Sequence, residues 1–223
     1  MRWPCSLITI SGLCWKKLRA EIAEYLESEK TMRYEKGQKA TTRRQILETA
    51  SRCFRRDGVS AAGIAGIMSE AGLTNGAFYT HFESKEELIR DALVDALRGQ
   101  QLRLEEDLRA GLNLEAIIRG YLSPDHLKAP EIGCPSAAML PEIARQPEPT
   151  REAYEQGLGR YVSLLASQLE STDSAAAHRR ATAIFALMVG TLEFARAVPD
   201  TAQAEKILAG GIDAALLLAN ARA

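Results

Sequence analysis

The sequence predicts an all-α protein with a helix-turn-helix unit near its front and a longer helical region behind it. Three observations carry that expectation. From Thr42 almost to the C-terminus, apolar residues recur at helical spacing and no strand-like alternation intervenes. Ala and Leu are frequent while aromatics make up only 6% of the 223 residues, which favours helices over sheets. Between them, AAGIAGIMSEAG and TNGAFYTHF read as two short helices joined at Gly72-Leu73.

The elements follow in chain order. Residues 1–40 read as an N-terminal extension. Its apolar run, Pro4 to Trp15, is too short to span a bilayer and lacks a signal-peptide cleavage pattern. Met32 opens a basic arm, MRYEKGQKATTRRQ, and is expected to be the native start, with residues 1–31 an over-long reading of the gene. From Thr42 a helix places Ile46, Leu47, Ala50, Cys53 and Phe54 on one face among five arginines. Thr41 or Thr42 is expected to cap its start, and Asp57-Gly58 to stop it.

A second helix over 61–71 buries Ile64, Ile67 and Met68, and Ser60 is available to cap it. A third covers 74–82 behind Thr74. Ser84 and Glu87 form a capping box before one long helix that buries Leu88, Leu93, Leu97 and Leu104. Helices are then expected at roughly 113–122, 134–145, 150–171, 174–198 and 201–221, with SPDHLKAPEIGCPS as the main loop. The expected domains are 41–88 for DNA binding and 89–223 behind it.

Charge divides along the same line. Residues 1–90 carry 15 Lys/Arg against 11 Asp/Glu, and residues 91–223 carry 13 against 18. A basic front on an acidic rear suits a polyanionic partner at the front, although a merely solvated face would look alike. Cys5, Cys14, Cys53 and Cys134 make no paired spacing, and His81, His126 and His178 lie far apart. No disulfide framework, metal site or cofactor is therefore expected, and a reducing cytoplasm fits best.

In a helix-turn-helix unit the second helix enters the major groove. Thr74 supplies a hydroxyl and helix N–H groups for phosphate, and Asn75 can pair with a base edge. Gly76 and Ala77 keep the helix slim. Tyr79, Thr80, His81 and Lys85 offer further donors, while Phe78 and Phe82 anchor the helix. Arg43, Arg44 and Ser60 complete the expected DNA-binding set, and the expected partner is double-stranded operator DNA.

The stretch ILETASRCFRRDGVSAAGIAGIMSEAGLTNGAFYTHFESKEELI resembles the DNA-binding domain of the TetR/AcrR family, without a gap from about Arg43 to Leu93. The resemblance implies a homodimeric repressor with a three-helix DNA-binding domain, then a helical effector-binding and dimerisation domain. It also implies that the last two helices form the dimer interface. Their expected contributions are Ile184, Leu187, Thr191 and Leu192, then Ile207, Leu208, Ile212 and Leu216. One departure stands out: the second helix holds Ala62, Gly63, Ala65 and Gly66 where the family carries polar groups.

A small-molecule effector is expected among Leu97, Leu104, Ile117, Tyr121, Cys134, Met139, Tyr154, Leu158, Tyr161, Phe185 and Met188, some of them ordinary core. EIGCPSAAMLPEIARQ resembles the same region of NemR-like repressors, in which a reactive cysteine pairs with a later lysine. LEFARAVPD offers Arg196 instead. Cys134 is thus open to two readings, a buried apolar residue or an electrophile sensor at a helix start. A thiol-dependent enzyme is a third. It lacks a readable His and carboxylate pattern, so no enzymatic activity and no catalytic residue are expected.

Overall fold

The computed structural model describes residues 37–221; the expectations for residues 1–31 fall outside that range. The chain divides into two compact units at 44/45. In the smaller unit, residues 37–44 are helical. Thr41 and Thr42 donate their hydroxyls to the carbonyls of Gly37 and Gln38, at 2.9 and 3.0 Å. They therefore lie inside a turn already formed and do not cap it.

In the larger unit, 45–223, the regular elements among the described residues are all helices. Residues 45–57 form α1, followed by α2 (Ile64–Glu70), α3 (Asn75–Phe78) and α4 (Lys85–Arg109). Then come α5 (Leu114–Tyr121), α6 (Pro124–Lys128), a 3₁₀ turn (Pro130–Ile132) and α7 (Pro135–Ile143). Three long helices close the chain: α8 (Glu148–Ala166), α9 (Ser174–Ala197) and α10 (Thr201–Asn220).

α1 buries the five apolar residues expected of it. The α4 cap is also as expected: Ser84 Oγ accepts the N–H of Glu87 at 3.1 Å, and the Glu87 carboxylate accepts the N–H of Glu83 at 2.7 Å. α2 departs from expectation. Its N-cap is Gly63, which has no side chain to accept a bond, and Ser60 lies outside the helix. Only four residues of α3 are α-helical, with turns over 79–81. The expected main loop contains α6, because Ser123 accepts the N–H of His126 and Pro124 occupies the first helical position.

Two hydrophobic clusters organise this unit. The front one joins α1–α3 to the first half of α4, and takes in Met139 and Ile143 from α7. The rear one joins the end of α4 with α5, α8, α9 and α10. α4 therefore runs through both cores, and α7 adds to the front core from far along the chain.

Candidate nucleic-acid interface and rear cavity

α2 ends in a Schellman motif. Gly72 has φ +70, its N–H bonds Ser69 O at 3.0 Å, and Leu73 N–H reaches Met68 O at 2.8 Å. That left-handed residue reverses the chain toward α3. Gln45 of α1 donates to Ala71 O at 2.8 Å, so the turn is held from the first helix as well.

Phe78 and Phe82, both buried, stack at 5.6 Å and fix α3 to the front core. With those anchors inward, Thr74, Asn75, Gly76, Tyr79 and Thr80 are exposed, Tyr79 by 71%. Ala77 and His81 are half-buried. Thr74 occupies the N-cap position, but its side chain makes no capping bond. The Thr80 hydroxyl donates to Ala77 O at 2.7 Å. Of the departures in α2, Ala62 is buried, whereas Gly63, Ala65 and Gly66 are exposed.

Four expected DNA-binding residues require qualification. Lys85 Nζ donates to the carbonyl of Val59 at 2.9 Å, so its ammonium already holds the turn after α1. Ser60 is exposed, and its N–H bonds Glu142 at 3.0 Å. Arg43 and Arg44 belong to the smaller unit, the first half-buried and the second exposed.

Next to this face, Arg56 of α1 reaches Glu70 of α2 at 2.9 Å, and the Cys53 thiol donates to Glu70 at 3.4 Å. The bond from Arg56 holds the Glu70 carboxyl below its usual range, and burial pushes the Cys53 thiol up.

Behind the front core lies a cavity of about 400 Å³. Of the residues expected around an effector, Leu104, Ile117, Tyr121, Cys134 and Tyr161 line it. The other expected pocket residues are elsewhere. Leu97 and Met139 belong to the front core, and Phe185 and Met188 to the rear core. Tyr154 donates to Ser136 Oγ at 3.0 Å, and Leu158 packs on the rear core. Phe185 stands one layer back, with its ring 4.8 Å from that of Tyr161.

The cavity has a polar side that apolar periodicity does not reveal. Gln100, Arg103 and Asp107 of α4 face it, together with His126. Gln100 Nε2 donates to Cys134 Sγ at 3.2 Å. His126 accepts the N–H of Cys134 on Nε2 at 2.9 Å, and its Nδ1 lies 2.7 Å from Tyr121 O. Those partners require the neutral ring with its proton on Nδ1, and burial lowers its pKa. The Tyr121 hydroxyl is buried beside Cys134, and burial raises its pKa well above the usual value.

Because that His126 nitrogen accepts the backbone N–H of Cys134, it is not placed as a base for the thiol. Arg196 Nε and Nη2 donate to the carbonyls of Leu127 and His126, at 3.3 and 2.8 Å. Among the described residues no group of His, Cys, Asp and Glu could hold a metal, and no helix is long and apolar enough to cross a membrane.

At the C-terminal end, Ile184, Thr191, Leu192 and Leu208 are buried within the one chain. Of the expected interface residues, Leu187, Ile207, Ile212 and Leu216 are partly covered. Phe194 and Leu217, which were not expected there, are 71% and 75% exposed. Ile184, Leu192 and Leu208 complete the rear core, because α9 and α10 approach closely. A Cβ at Gly211 would lie 2.3 Å from Thr191.

Residues 46–92 match the family described as bacterial regulatory proteins, tetR family. That segment, α1 to the start of α4, is thus similar to the DNA-binding region of tetR-family regulators. It is 44% identical over 66 residues to the HTH-type transcriptional regulator TtgR of Pseudomonas putida, covering 30% of this chain and 31% of TtgR. The chain thus spans about a third of the length of the curated relatives it matches first.

Likeness of fold extends further. Escherichia coli NemR in its reduced form superposes with TM-score 0.65 at 20% identity, covering 78% of this chain and 95% of NemR. Bacillus subtilis FadR, solved with stearoyl-CoA, gives 0.59 at 17% identity, covering 80% and 98%.

Proposed function

We propose that this chain is a DNA-binding transcriptional repressor of the TetR/AcrR family that acts as a homodimer and is released from its operator by a small molecule. The observation that carries the reading is the α3 face. Thr74, Asn75, Gly76, Tyr79 and Thr80 are exposed on a slim turn whose Phe78 and Phe82 are locked in the core. Such a face can meet phosphates through Thr74 and Tyr79 and base edges through Asn75 and Thr80.

Dimerisation is supported by the outer surfaces of α9 and α10. Ala183, Ala186, Leu187 and Phe194 share one helical stripe, and Leu217 lies exposed on the next helix. Two such faces would form a four-helix seam and set the half-site spacing at about one helical turn of DNA, ~34 Å, or somewhat more. The effector site is the cavity beside Tyr121 and Cys134. An effector that prefers the non-binding arrangement need supply only ~1–3 kcal/mol of coupling.

A second reading, in which Cys134 senses electrophiles, is favoured by its place in the cavity wall and at the N-cap of α7. Mass spectrometry after N-ethylmaleimide treatment, with DNA binding measured in parallel, separates the two. Unchanged affinity with Cys134 fully modified removes the sensor.

The primary test is a gel shift with the DNA upstream of the protein's own coding region, over a range of salt. A sequence-specific complex supports the repressor reading; equal affinity for unrelated DNA overturns it.

A further inference from the structure

The turn between α1 and α2 is held from a helix more than eighty residues away. Glu142 Oε2 accepts the N–H of Val59 at 2.9 Å, and Oε1 accepts the N–H of Ser60 at 3.0 Å. Gly58, at φ +86, passes so close that a Cβ there would lie 3.3 Å from the same carboxylate. Lys85 clasps the turn from the other side through Val59 O. These residues lead directly into α2, and α2 sets the position of α3.

Glu142 lies in the last turn of α7, and the N-cap of that helix, Cys134, lines the cavity. Gly133 and Cys134 line the cavity, and His126 holds the Cys134 N–H. The Gly133 carbonyl accepts Arg55 Nη1 at 2.9 Å, a second tie to α1. Met139 and Ile143 seat the body of α7 in the front core. One short helix of nine residues, roughly 13 Å long, therefore runs from an N-cap in the cavity wall to a carboxylate that holds the turn before α2.

We propose that α7 is a strut coupling the cavity to the DNA-binding domain, with Glu142 as the positioning residue that transmits its displacement to Val59 and Ser60. This rests on the proposed DNA-binding function and on the cavity as its effector site. A molecule that shifts the Gly133–Cys134 corner moves α7 along its axis or tilts it. The two N–H groups then follow or lose the carboxylate, and α2 is freed to reorient.

The test replaces the unidentified effector with a displacement built into the chain. Gly133→Ala keeps an ordinary backbone, φ −78, but its Cβ would meet His126 Nε2 at 2.5 Å, so either the ring that holds the Cys134 N–H or the start of α7 must shift. Amide exchange at Val59 and Ser60 is followed in the full-length protein, in Gly133→Ala, in Glu142→Ala and in the double variant. Expected is an exchange roughly tenfold faster at these two amides in either single variant, no further gain in the double, and unchanged protection at Met68 and Ala71.

DNA affinity follows the same cycle. Gly133→Ala weakens binding about tenfold when Glu142 is present and has little effect when it is absent. The strut is overturned if Gly133→Ala leaves both amides unchanged, if it speeds exchange throughout α1–α3 alike, or if the two effects multiply. Should Gly133→Ala not fold, His126→Ala, which releases the Cys134 N–H, enters the same cycle. If the wild-type protein shows no sequence-specific binding, the DNA reading fails, and the exchange measurements still decide the strut.

Discussion

Lys85 donates its ammonium to the carbonyl of Val59 at 2.9 Å, across the front core from the start of α4 to the turn after α1. A residue expected only to touch phosphate is therefore part of the scaffold that orients α2 and α3. Lys85→Ala should lower unfolding free energy by about 1 kcal/mol, the usual net value of such a bond, as well as weakening DNA binding at all sequences. Urea denaturation of the DNA-free protein distinguishes the roles. A pure phosphate ligand would leave the midpoint unchanged and reduce only the salt dependence of binding.

Gly72 and Gly76 should respond to alanine in opposite ways. Gly72 sits at φ +70, where a side chain costs roughly 1–2 kcal/mol, so Gly72→Ala should destabilise and misdirect α3. Gly76 has an ordinary φ, and a methyl group added there would meet only open space, so Gly76→Ala should not destabilise the free protein. DNA affinity should nevertheless fall in both, if the α3 backbone approaches the groove. Paired denaturation and binding curves check this.

At the rear, Gly211→Ala and Phe194→Glu separate core from interface. A methyl group at Gly211 collides with Thr191 and should cost about 1–3 kcal/mol of stability. Phe194 is 71% exposed, so Phe194→Glu should leave the folded chain intact and abolish self-association. Sedimentation velocity reads the second outcome; a dimer that survives Phe194→Glu places the seam elsewhere.

Acid should weaken the fold through His126. Burial lowers its folded pKa below the ordinary ~6.5, so the unfolded chain binds the extra proton first. Its stabilising contribution is present above pH ~6.5 and is lost as pH falls from there through the lowered folded value. The urea midpoint should therefore drop between pH 7.5 and 5.5 in wild type, and less steeply in His126→Asn.

Much of the front domain was legible because its signals are local. The α1 stripe ending in Cys53 and Phe54, the Ser84–Glu87 box and the Gly72 turn each lie within a few residues of one another. Ser123-Pro124 was an equally local sign of α6, but it stood among prolines that read as loop. Other features depend on contacts distant in sequence. Nothing near Glu142 indicates that it meets Val59, and nothing near Lys85 shows where its ammonium goes. The polar cavity side at Gln100, Arg103 and Asp107 was missed because apolar periodicity records only the other faces of α4. Ile184, Leu192 and Leu208 show the reverse limit. An apolar stripe cannot tell a chain's own core from a surface awaiting a partner.

The α3 face is the centre of the account, and a competition titration tests it most directly. Wild type, Tyr79→Ala, Asn75→Ala and Thr80→Ala are titrated against upstream DNA and a scrambled duplex at two salt concentrations. Tyr79→Ala should lose affinity for both duplexes, whereas Asn75→Ala and Thr80→Ala should narrow the preference between them. Wild-type affinity and preference retained in all three variants would contradict the claim that this face reads DNA.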